Sequence, residues 1–309
     1  MASSKQTPSQ GKPGRAFRWL PVGFILLQNT LYGFGDPISK AAYEVLPVYS
    51  LLSVRYSIAL AFLLLVFGRR ILRGLRACSP RDWLLPALCM GGAYVFGNIA
   101  LELTAATSVA FLRSLSTVMT PLLAWAVFRH RFGKKHLPVL VLAVAGLYLL
   151  CGLGGLSGFG LGEVLALVTA LLLSGSLLFG EKALDRVDPI TLTAVQTAAS
   201  MSMALVCALV VEKGIHLEEA TGKHWAIIVY LALACTVAGY LLQNAALGPL
   251  SARMVALLQC ICPVMTALFS WLILGERLSA LGLLGAAILL GCVAAETMMK
   301  DDAPSPLTK

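Results

Sequence analysis

Residues 47–76 read PVYSLLSVRYSIALAFLLLVFGRRILRGLR. The first 21 of these residues carry a single charge, Arg55, and four arginines follow within the next nine positions. A helix needs about 20 mostly apolar residues to cross the hydrocarbon core of a membrane. Arginine and lysine collect where such a helix leaves the membrane on the cytoplasmic side. This stretch therefore predicts a transmembrane helix that ends at the cytoplasmic surface.

The composition extends this interpretation to the whole chain. Of 309 residues, 58% are apolar and 13% are charged, and the mean hydropathy is +0.83, whereas a soluble domain has about 25% charged residues. The net charge of +9 comes from basic residues in short loops between apolar runs, which is typical of membrane topology signals rather than of nucleic-acid binding. We therefore expect an all-α integral membrane protein that is surrounded by the lipid bilayer and binds no nucleic acid.

Apolar runs fill the chain and are separated by short polar turns, so that no soluble domain remains. The tails at residues 1–18 and 300–309 are polar. The sequence predicts ten transmembrane helices, at approximately 19–40, 47–67, 83–104, 107–128, 137–154, 161–181, 190–211, 224–246, 251–274 and 279–299.

Basic residues are divided unevenly between the two sets of loops. If the N-terminus is cytoplasmic, the cytoplasmic loops and tails hold 17 Lys and Arg residues. The opposite loops then hold three, which are Lys213, Lys223 and Arg277. Because the side with more Lys and Arg is normally the cytoplasmic one, both tails are predicted to be cytoplasmic.

The second part of the chain repeats the first. One set of residues recurs 142 positions later and another 146 positions later. The two spacings differ by about one helical turn, which a longer loop can accommodate. Five is an odd number, so two copies of a five-helix unit lie in opposite orientations in the membrane. We expect two inverted five-helix repeats, residues 19–154 and 161–299, with a solute site at their interface. The recurring residues are Gly33, Lys40 and Pro47 with Gly175, Lys182 and Pro189, and Ala100, Leu101, Trp125 and Arg131 with Ala246, Leu247, Trp271 and Arg277.

Three segments carry a family resemblance. Residues 33–55, GFGDPISKAAYEVLPVYSLLSVR, and residues 175–196, GSLLFGEKALDRVDPITLTAVQ, have the pattern that opens each half. The third segment, residues 246–278, contains Pro263 and ends in LGERL. Together they resemble EamA-type members of the drug/metabolite transporter superfamily, over residues 20–299. The resemblance implies a ten-helix bundle in the bacterial cytoplasmic (inner) membrane that exports amino acids or similar small metabolites without ATP.

Polar side chains recur at helical spacing inside several apolar runs. Gln28, Tyr32, Asp36 and Lys40 lie four residues apart on the first predicted helix, which places them along one face. Polar faces are costly against lipid, so we expect them to face a solute cavity. The alternative is that they form hydrogen bonds that hold the helices together. The residues predicted to bind solute are Tyr32, Asp36, Tyr94, Asn98, Arg113, Tyr240, Gln243 and Asn244.

Asp36 and Lys40 are the candidate coupling residues. Burial favours the neutral form of a carboxyl group, so Asp36 could bind a proton, the candidate coupling ion, in one state of a transport cycle. Alternatively, Asp36 forms a structural ion pair with Lys40 one turn away, or Asp36-Pro37 kinks the helix. Arg113 could contact a solute carboxylate through two hydrogen bonds or extend to the membrane surface. For Arg55 a structural role is favoured.

The motifs of several enzyme classes are absent from the sequence. It contains no Walker A motif, no GxSxG and no metal-ligand spacing, and its four histidines lie in loops or at helix ends. We expect no catalytic residue, no metal site and no cofactor. The leading interpretation is a secondary active transporter or facilitator for a small organic metabolite. The alternatives are a membrane-embedded enzyme acting on a lipid-linked substrate and a receptor for a small molecule. The oligomeric state is left open, and a monomer is compatible with the sequence.

Overall fold

A computed structural model describes residues 19–104, 109, 112–128, 137–151, 160–274 and 279–298. All regular secondary structure in these residues is helical, which confirms the predicted all-α class. The helices, numbered in chain order, are α1 Trp19–Tyr43, α2 Val48–Ala77, α3 Pro80–Leu103, α4 Ser116–Phe128, α5 Leu137–Cys151, α6 Leu161–Ala183, α7 Pro189–Val210, α8 Gly222–Leu247, α9 (residues 252–274) and α10 Ala280–Met298.

Two of these helices change type along their length, although the sequence predicted plain spans there. In α8, a π-helical segment, Leu231–Ala238, separates two α-helical parts. In α9, a 3₁₀ turn, Gln259–Ile261, follows the first two turns. Such segments change the direction in which the following side chains point, and they occur often at functional sites.

Six of the described helices are long and apolar enough to cross a membrane: α2, α3, α6, α7, α8 and the part Ala252–Phe269 of α9. Three shorter apolar helices accompany them, Leu112–Phe128, Leu137–Leu149 and Ala280–Ala295. Large apolar side chains cover the outer faces, as at Leu65, which is 86% exposed. An outer surface of this kind requires lipid. The chain is therefore an integral multi-pass membrane protein, and the number of ten spans stays a prediction.

The contacts between helices follow the division of the bundle into two halves. When each helix is replaced by its equivalent in the other half, the main helix contacts are again contacts of the bundle. α2 packs along α7 and α5 packs along α10, so each of these pairs joins equivalent helices. α3 packs on α6 as α8 packs on α1, and α4 packs on α6 as α9 packs on α1. This pairing is the one expected of two inverted repeats around a pseudo-two-fold axis.

We call one end of the bundle the loop end, because it holds the connections at residues 44–47 and 211–221. The carboxylate of Glu212, two residues after α7 ends, accepts the backbone N–H groups of Tyr49 and Ser50 at 2.8 Å each. The Ser50 hydroxyl also donates to this carboxylate. The first N–H groups of a helix have no partner inside the helix and form the positive end of its dipole. Glu212 therefore caps α2 and ties it to α7.

Replacement of Glu212 by glutamine is expected to lower the free energy of unfolding by about 1–2 kcal/mol, because it removes the anionic acceptor from the start of α2. Thermal unfolding of the purified protein in detergent would show the loss as a lower midpoint. Glu219→Gln is the matched control, since Glu219 has the same charge and is exposed in the same connection. An equal fall of the midpoint in both variants would contradict the capping role.

We call the opposite end, where α1 begins and α10 ends, the terminal end. α2 extends there to Ala77, well past the predicted end of its span at residue 67. The last turns of α2 carry several arginines, and polar groups there contact residues at and just before the start of α7. Arg70 forms an ion pair with Asp188, and the Cys78 thiol donates to the carbonyl of Arg186. These contacts hold the end of α2 against the start of α7.

Candidate functional site

A polar cavity lies between the two halves of the bundle. Residues from α1, α2, α3, α4, α6, α8 and α9 line it, mostly from the parts of these helices that are nearer the loop end. Its volume of about 110 Å³ accommodates several water molecules or a small solute. The charged side chains among the described lining residues are Asp36, Arg55 and Arg113.

Asp36 forms an ion pair with Arg113 inside this cavity. Arg113 Nη2 lies 3.1 Å from Asp36 Oδ2, and the Thr266 hydroxyl donates to the same carboxylate oxygen at 3.2 Å. The side chains of Asp36 and Arg113 are 34% and 28% exposed, so the pair faces open space rather than a packed core. The contact joins α1 and the segment before α4, in the first half, to α9 in the second half.

Lys40 is not the partner of Asp36. Its side chain is exposed one turn further along α1, while the carboxylate of Asp36 is held by Arg113. The spacing within α1 offered a pair on a single helix as one alternative. The observed pair joins α1 to the segment before α4, because packing brings Arg113 to the face of α1 that carries Asp36.

Tyrosine and asparagine side chains form the wall between α1 and α3. The Tyr94 hydroxyl donates to the Tyr32 hydroxyl at 3.2 Å, and the Tyr43 hydroxyl donates to Asn98 Oδ1 at 2.9 Å. Asn98 Nδ2 in turn donates to the backbone carbonyl of Tyr94 at 2.6 Å. These bonds hold the phenol groups in fixed directions, so that the wall offers apolar ring faces with polar edges.

Arg55 enters the cavity from the second turn of α2. It is 6% exposed, and its Nε–H donates to the hydroxyl of Thr236 at 2.9 Å. The Thr236 hydroxyl donates to the carbonyl of Leu231, five residues earlier in the π-helical segment of α8, at 3.0 Å. The guanidinium carbon lies 5.4 Å from the centre of the Tyr56 ring. The π-helical segment thus supplies the hydroxyl group that orients Arg55.

Three glutamines form the floor of the cavity on the side of the terminal end. The side-chain amides of Gln28 and Gln259 donate to Gln243 Oε1 at 3.0 and 2.9 Å, and Gln259 Nε2 also donates to Gln28 Oε1 at 3.4 Å. Beside them, Asn29 donates to the backbone carbonyl of Leu258 at 2.8 Å. A buried apolar cluster continues from this layer toward the terminal end and closes the cavity there; it includes Val22, Ile25, Leu178, Leu247, Val255 and Leu258.

A family and several known proteins match this chain. The model of the EamA-like transporter family matches residues 19–152 and 160–295, once in each half. The chain belongs to the EamA-like transporter family. This confirms the predicted membership of the drug/metabolite transporter superfamily.

The relatives of this EamA-like chain are named as transporters. Two uncharacterized transporters of Archaeoglobus fulgidus are 28% identical to it, over 147 and 247 residues. The first match covers 48% of this chain and 44% of the relative, and the second covers 77% and 83%. Human solute carrier family 35 member E4 is 29% identical over 300 residues, which are 90% of this chain and 79% of that protein. These names favour a transporter over the enzyme and receptor alternatives.

A solved crystal structure shares the fold of the EamA-like chain. The two superpose with a TM-score of 0.74 at 18% sequence identity, and the match covers 92% of this chain and 97% of the other. At this identity the likeness concerns the fold alone.

Most residues predicted to bind solute line the cavity of the EamA-like chain: Tyr32, Asp36, Tyr94, Asn98, Arg113 and Gln243. Tyr240 and Asn244 are fully buried outside the lining. The Tyr240 ring packs on Tyr94 with the ring centres 5.5 Å apart. Asn244 donates to Thr193 and Gln196 at 2.9 and 2.7 Å. α8 therefore directs these two side chains toward α3 and α7, and solute binding by all eight residues stays a prediction.

The buried pair and the lining pair occupy equivalent positions in the two halves. Tyr94 and Asn98 lie in AYVFGNIAL, residues 93–101, and their counterparts 146 residues later lie in GYLLQNAAL, residues 239–247. In the first copy of this motif Tyr94 and Asn98 face the cavity, whereas in the second copy Tyr240 and Asn244 are buried.

The charged lining residues of the EamA-like chain all belong to the first half. Arg55 is a lining residue that the sequence did not predict. The repeat carries a signal for it, because a charge that occurs in only one of the two copies is not needed for the framework that both copies share. Nowhere in the described ranges do three His, Cys, Asp or Glu side chains come together as metal ligands would. At spacings of 142 and 146 residues, the counterparts of Asp36, Arg55 and Arg113 are Leu178, Thr197 and Gln259.

Proposed function

We propose that this protein is a secondary active transporter or facilitator that carries a small organic metabolite, such as an amino acid, out of the cell. The observation that carries the proposal is the cavity, where polar and charged side chains converge between the halves of an otherwise apolar bundle. Charged side chains are costly inside a membrane and mark the pathways of solutes and ions. The lining combines tyrosine rings with Asp36, Arg55 and Arg113, which suits a molecule with both apolar and charged parts.

We infer that transport follows an exchange of conformation between two inverted repeats. Tyr94 and Asn98 line the open cavity, whereas Tyr240 and Asn244 are buried at equivalent positions. When the halves exchange conformations, Tyr240 and Asn244 line a cavity that opens at the terminal end, and Tyr94 and Asn98 become buried. The solute then passes from one end to the other without a continuous channel.

The loop charges support an orientation for this cycle. Lys and Arg are concentrated at the terminal end and in the tails, which favours a cytoplasmic terminal end with both tails inside a bacterial cell. In this orientation the cavity faces away from the cytoplasm. The conformation is then the one that an exporter reaches when it releases its solute.

Cysteine labelling tests the orientation and the cavity together. Three native cysteines line the cavity, so the experiment starts from a variant without native cysteines. Asn98→Cys is expected to react with a membrane-impermeant thiol reagent added outside intact cells, and Ser305→Cys only after the membrane is made permeable. Asn244→Cys is the matched control and should react much more slowly, because Asn244 is 0% exposed. Equal reaction rates at Asn98→Cys and Asn244→Cys would contradict the one-sided cavity.

Counterflow into proteoliposomes tests the function itself. Candidate amino acids, amines, nucleobases and carboxylates are first ranked by thermal shift, because a compound that binds the folded state raises its apparent stability. Vesicles loaded with each compound then take up its radiolabelled form. We expect at least one compound to exchange, and we expect modification of Asn98→Cys to stop that exchange. A folded protein that binds and exchanges no compound in the panel would refute the proposal.

Proton coupling is the part of the proposal that concerns Asp36. A proton on Asp36 would weaken its contacts with Arg113 and Thr266, and would thereby link protonation to the contact between the halves. Asp36→Asn is expected to exchange solute at a reduced rate and to lose the response of transport to an imposed pH gradient. Lys40, the second predicted coupling residue, is exposed, so Lys40→Gln serves as the control that keeps this response. A wild-type response in Asp36→Asn would exclude Asp36, and a wild-type protein that ignores the gradient would be a facilitator.

A further inference from the structure

We propose that Arg55 binds the anionic group of the transported solute, a carboxylate or a phosphate. The inference rests on the proposed function and adds to it the charge class of the solute. Arg55 is 6% exposed and lines the cavity. Among the described residues, no carboxylate lies within ion-pair distance of its guanidinium group. A buried cation without a counter-charge requires an explanation.

Most donors of the Arg55 guanidinium group have no acceptor among the described residues. A guanidinium group has five N–H donors, and the described residues accept one of them, the Nε–H that is bound by Thr236. Because the group is planar and rigid, the bond to Thr236 fixes its direction. The Tyr56 ring lies near its carbon atom. The remaining edge, formed by the two Nη groups, is the part of Arg55 that is left for the cavity.

The charge balance of the cavity points the same way. The charged residues among the described lining are two cations and one anion, with a net charge of +1. Because the carboxylate of Asp36 is held by Arg113 and Thr266, the charge that has no counter-charge among them is that of Arg55. Arginine keeps its charge in proteins, and leaving a buried charge unpaired is strongly unfavourable. An anionic group of the solute would remove this cost when it binds.

The geometry of arginine defines the chemistry of the partner. Two Nη–H groups in one plane match the two oxygens of a carboxylate or a phosphate, and the resulting pair of charge-assisted bonds is short and strong. Sequence reasoning considered this role for Arg113, but the structure pairs Arg113 with Asp36. The position equivalent to Arg55 in the second half is Thr197, which is neutral. The anion is therefore bound in the half of the pathway nearer the loop end.

A thermal-shift assay with matched compounds that have and lack an anionic group tests this binding without requiring transport. The panel contains small amino acids and hydroxy acids with their amides, and inorganic phosphate and methyl phosphate, all at equal ionic strength. We expect carboxylates or phosphates to raise the unfolding midpoint and the amides to leave it unchanged. A response to carboxylates alone or to phosphates alone supports the site and identifies the anionic group.

Variants of Arg55 locate the site. Arg55→Gln is expected to lower the apparent affinity for the anions by about tenfold or more, since two charge-assisted hydrogen bonds are lost. Arg55→Lys should lose less, because an ammonium group keeps the charge but not the planar fork. Arg70→Gln is the matched control, since Arg70 lies on the same helix with its side chain 57% exposed. The Arg70→Gln protein should bind the anions with the affinity of the wild type.

Three thermal-shift results would overturn the anion site: stabilisation by the amides equal to that by the carboxylates, wild-type affinity in Arg55→Gln, or no carboxylate or phosphate that stabilises the wild type. A cooperative unfolding transition in the absence of ligand shows that a variant is folded. If Arg55→Gln shows no such transition, the affinity of Arg55→Lys is compared with that of the wild type instead. Counterflow separates this inference from the proposed function. Exchange only of compounds without a carboxylate or phosphate group would overturn the anion site and leave transport. Anion binding that depends on Arg55, without any exchange, would overturn transport and leave the site.

Discussion

Replacement of Arg113 by glutamine is expected to lower the rate of solute exchange by about 30-fold or more, equivalent to about 2 kcal/mol. The change removes the cation from Asp36 and leaves the carboxylate with the Thr266 hydroxyl alone. The pair joins α1 to the segment before α4 and fixes the carboxylate that accepts the Thr266 hydroxyl of α9, so its loss leaves this contact between the halves less firmly positioned. Counterflow at equal protein content in the vesicles measures the rate.

The double variant with Asp36→Asn and Arg113→Gln distinguishes an ion pair from two independent residues. It removes both charges, so that no charged group is left unpaired, and its two side-chain amides can still form a hydrogen bond with each other. We therefore expect it to exchange solute faster than Arg113→Gln does. Lys40→Gln removes an exposed charge from the next turn of α1 and should stay close to the wild type. If the losses of the two single variants add in the double variant, the pair has no joint role.

The same substitution at two glycines of α1 is expected to have opposite effects. A Cβ atom at Gly33 would lie 2.5 Å from the Cβ of Met265 and 2.9 Å from the backbone nitrogen of Thr266. Backbone atoms of α9 cannot give way as a flexible side chain can, so Gly33→Ala must separate α1 from α9. Such overpacking costs about 1–3 kcal/mol. The displaced residue, Thr266, also donates to Asp36, so transport should fall with stability.

Gly23→Ala is the control within the same helix. A Cβ atom at Gly23 would have no neighbour within 4 Å, and alanine favours a helix over glycine by up to about 1 kcal/mol. Unfolding midpoints in detergent should therefore fall for Gly33→Ala and stay or rise for Gly23→Ala. Equal midpoints in the two variants would contradict the close contact of α1 with α9.

The helical class and the family could be predicted from the sequence because both depend on patterns along the chain. The apolar runs and the loop charges are local, and the repeat needs only a comparison of the chain with itself. The polar face of α1 was also predicted, and its residues Tyr32 and Asp36 do line the cavity. Periodicity identifies which residues of a helix share a face.

Periodicity does not identify the neighbour that a face meets. Asp36 was matched with Lys40 because both lie on one helix, whereas its cation comes from Arg113 on another segment. Tyr240 and Asn244 are polar residues of an apolar run, as are the lining residues, but their side chains pack on α3 and α7. For Arg55 the sequence favours a structural role, and the contacts that argue for a binding role require the neighbouring helices to be in place.

The floor of the cavity has an electrical consequence. Gln28, Gln243 and Gln259 are joined by amide hydrogen bonds, and each amide can both donate and accept. In the proposed cycle the floor opens, water can then replace these bonds, and no ion pair has to separate. A charge that crosses a membrane voltage of 100 mV costs about 2.3 kcal/mol, but the movement of neutral amides carries no charge. In that cycle the membrane voltage acts on the solute and on the charged residues above the floor, whereas separation of the three neutral amides moves no charge across the membrane.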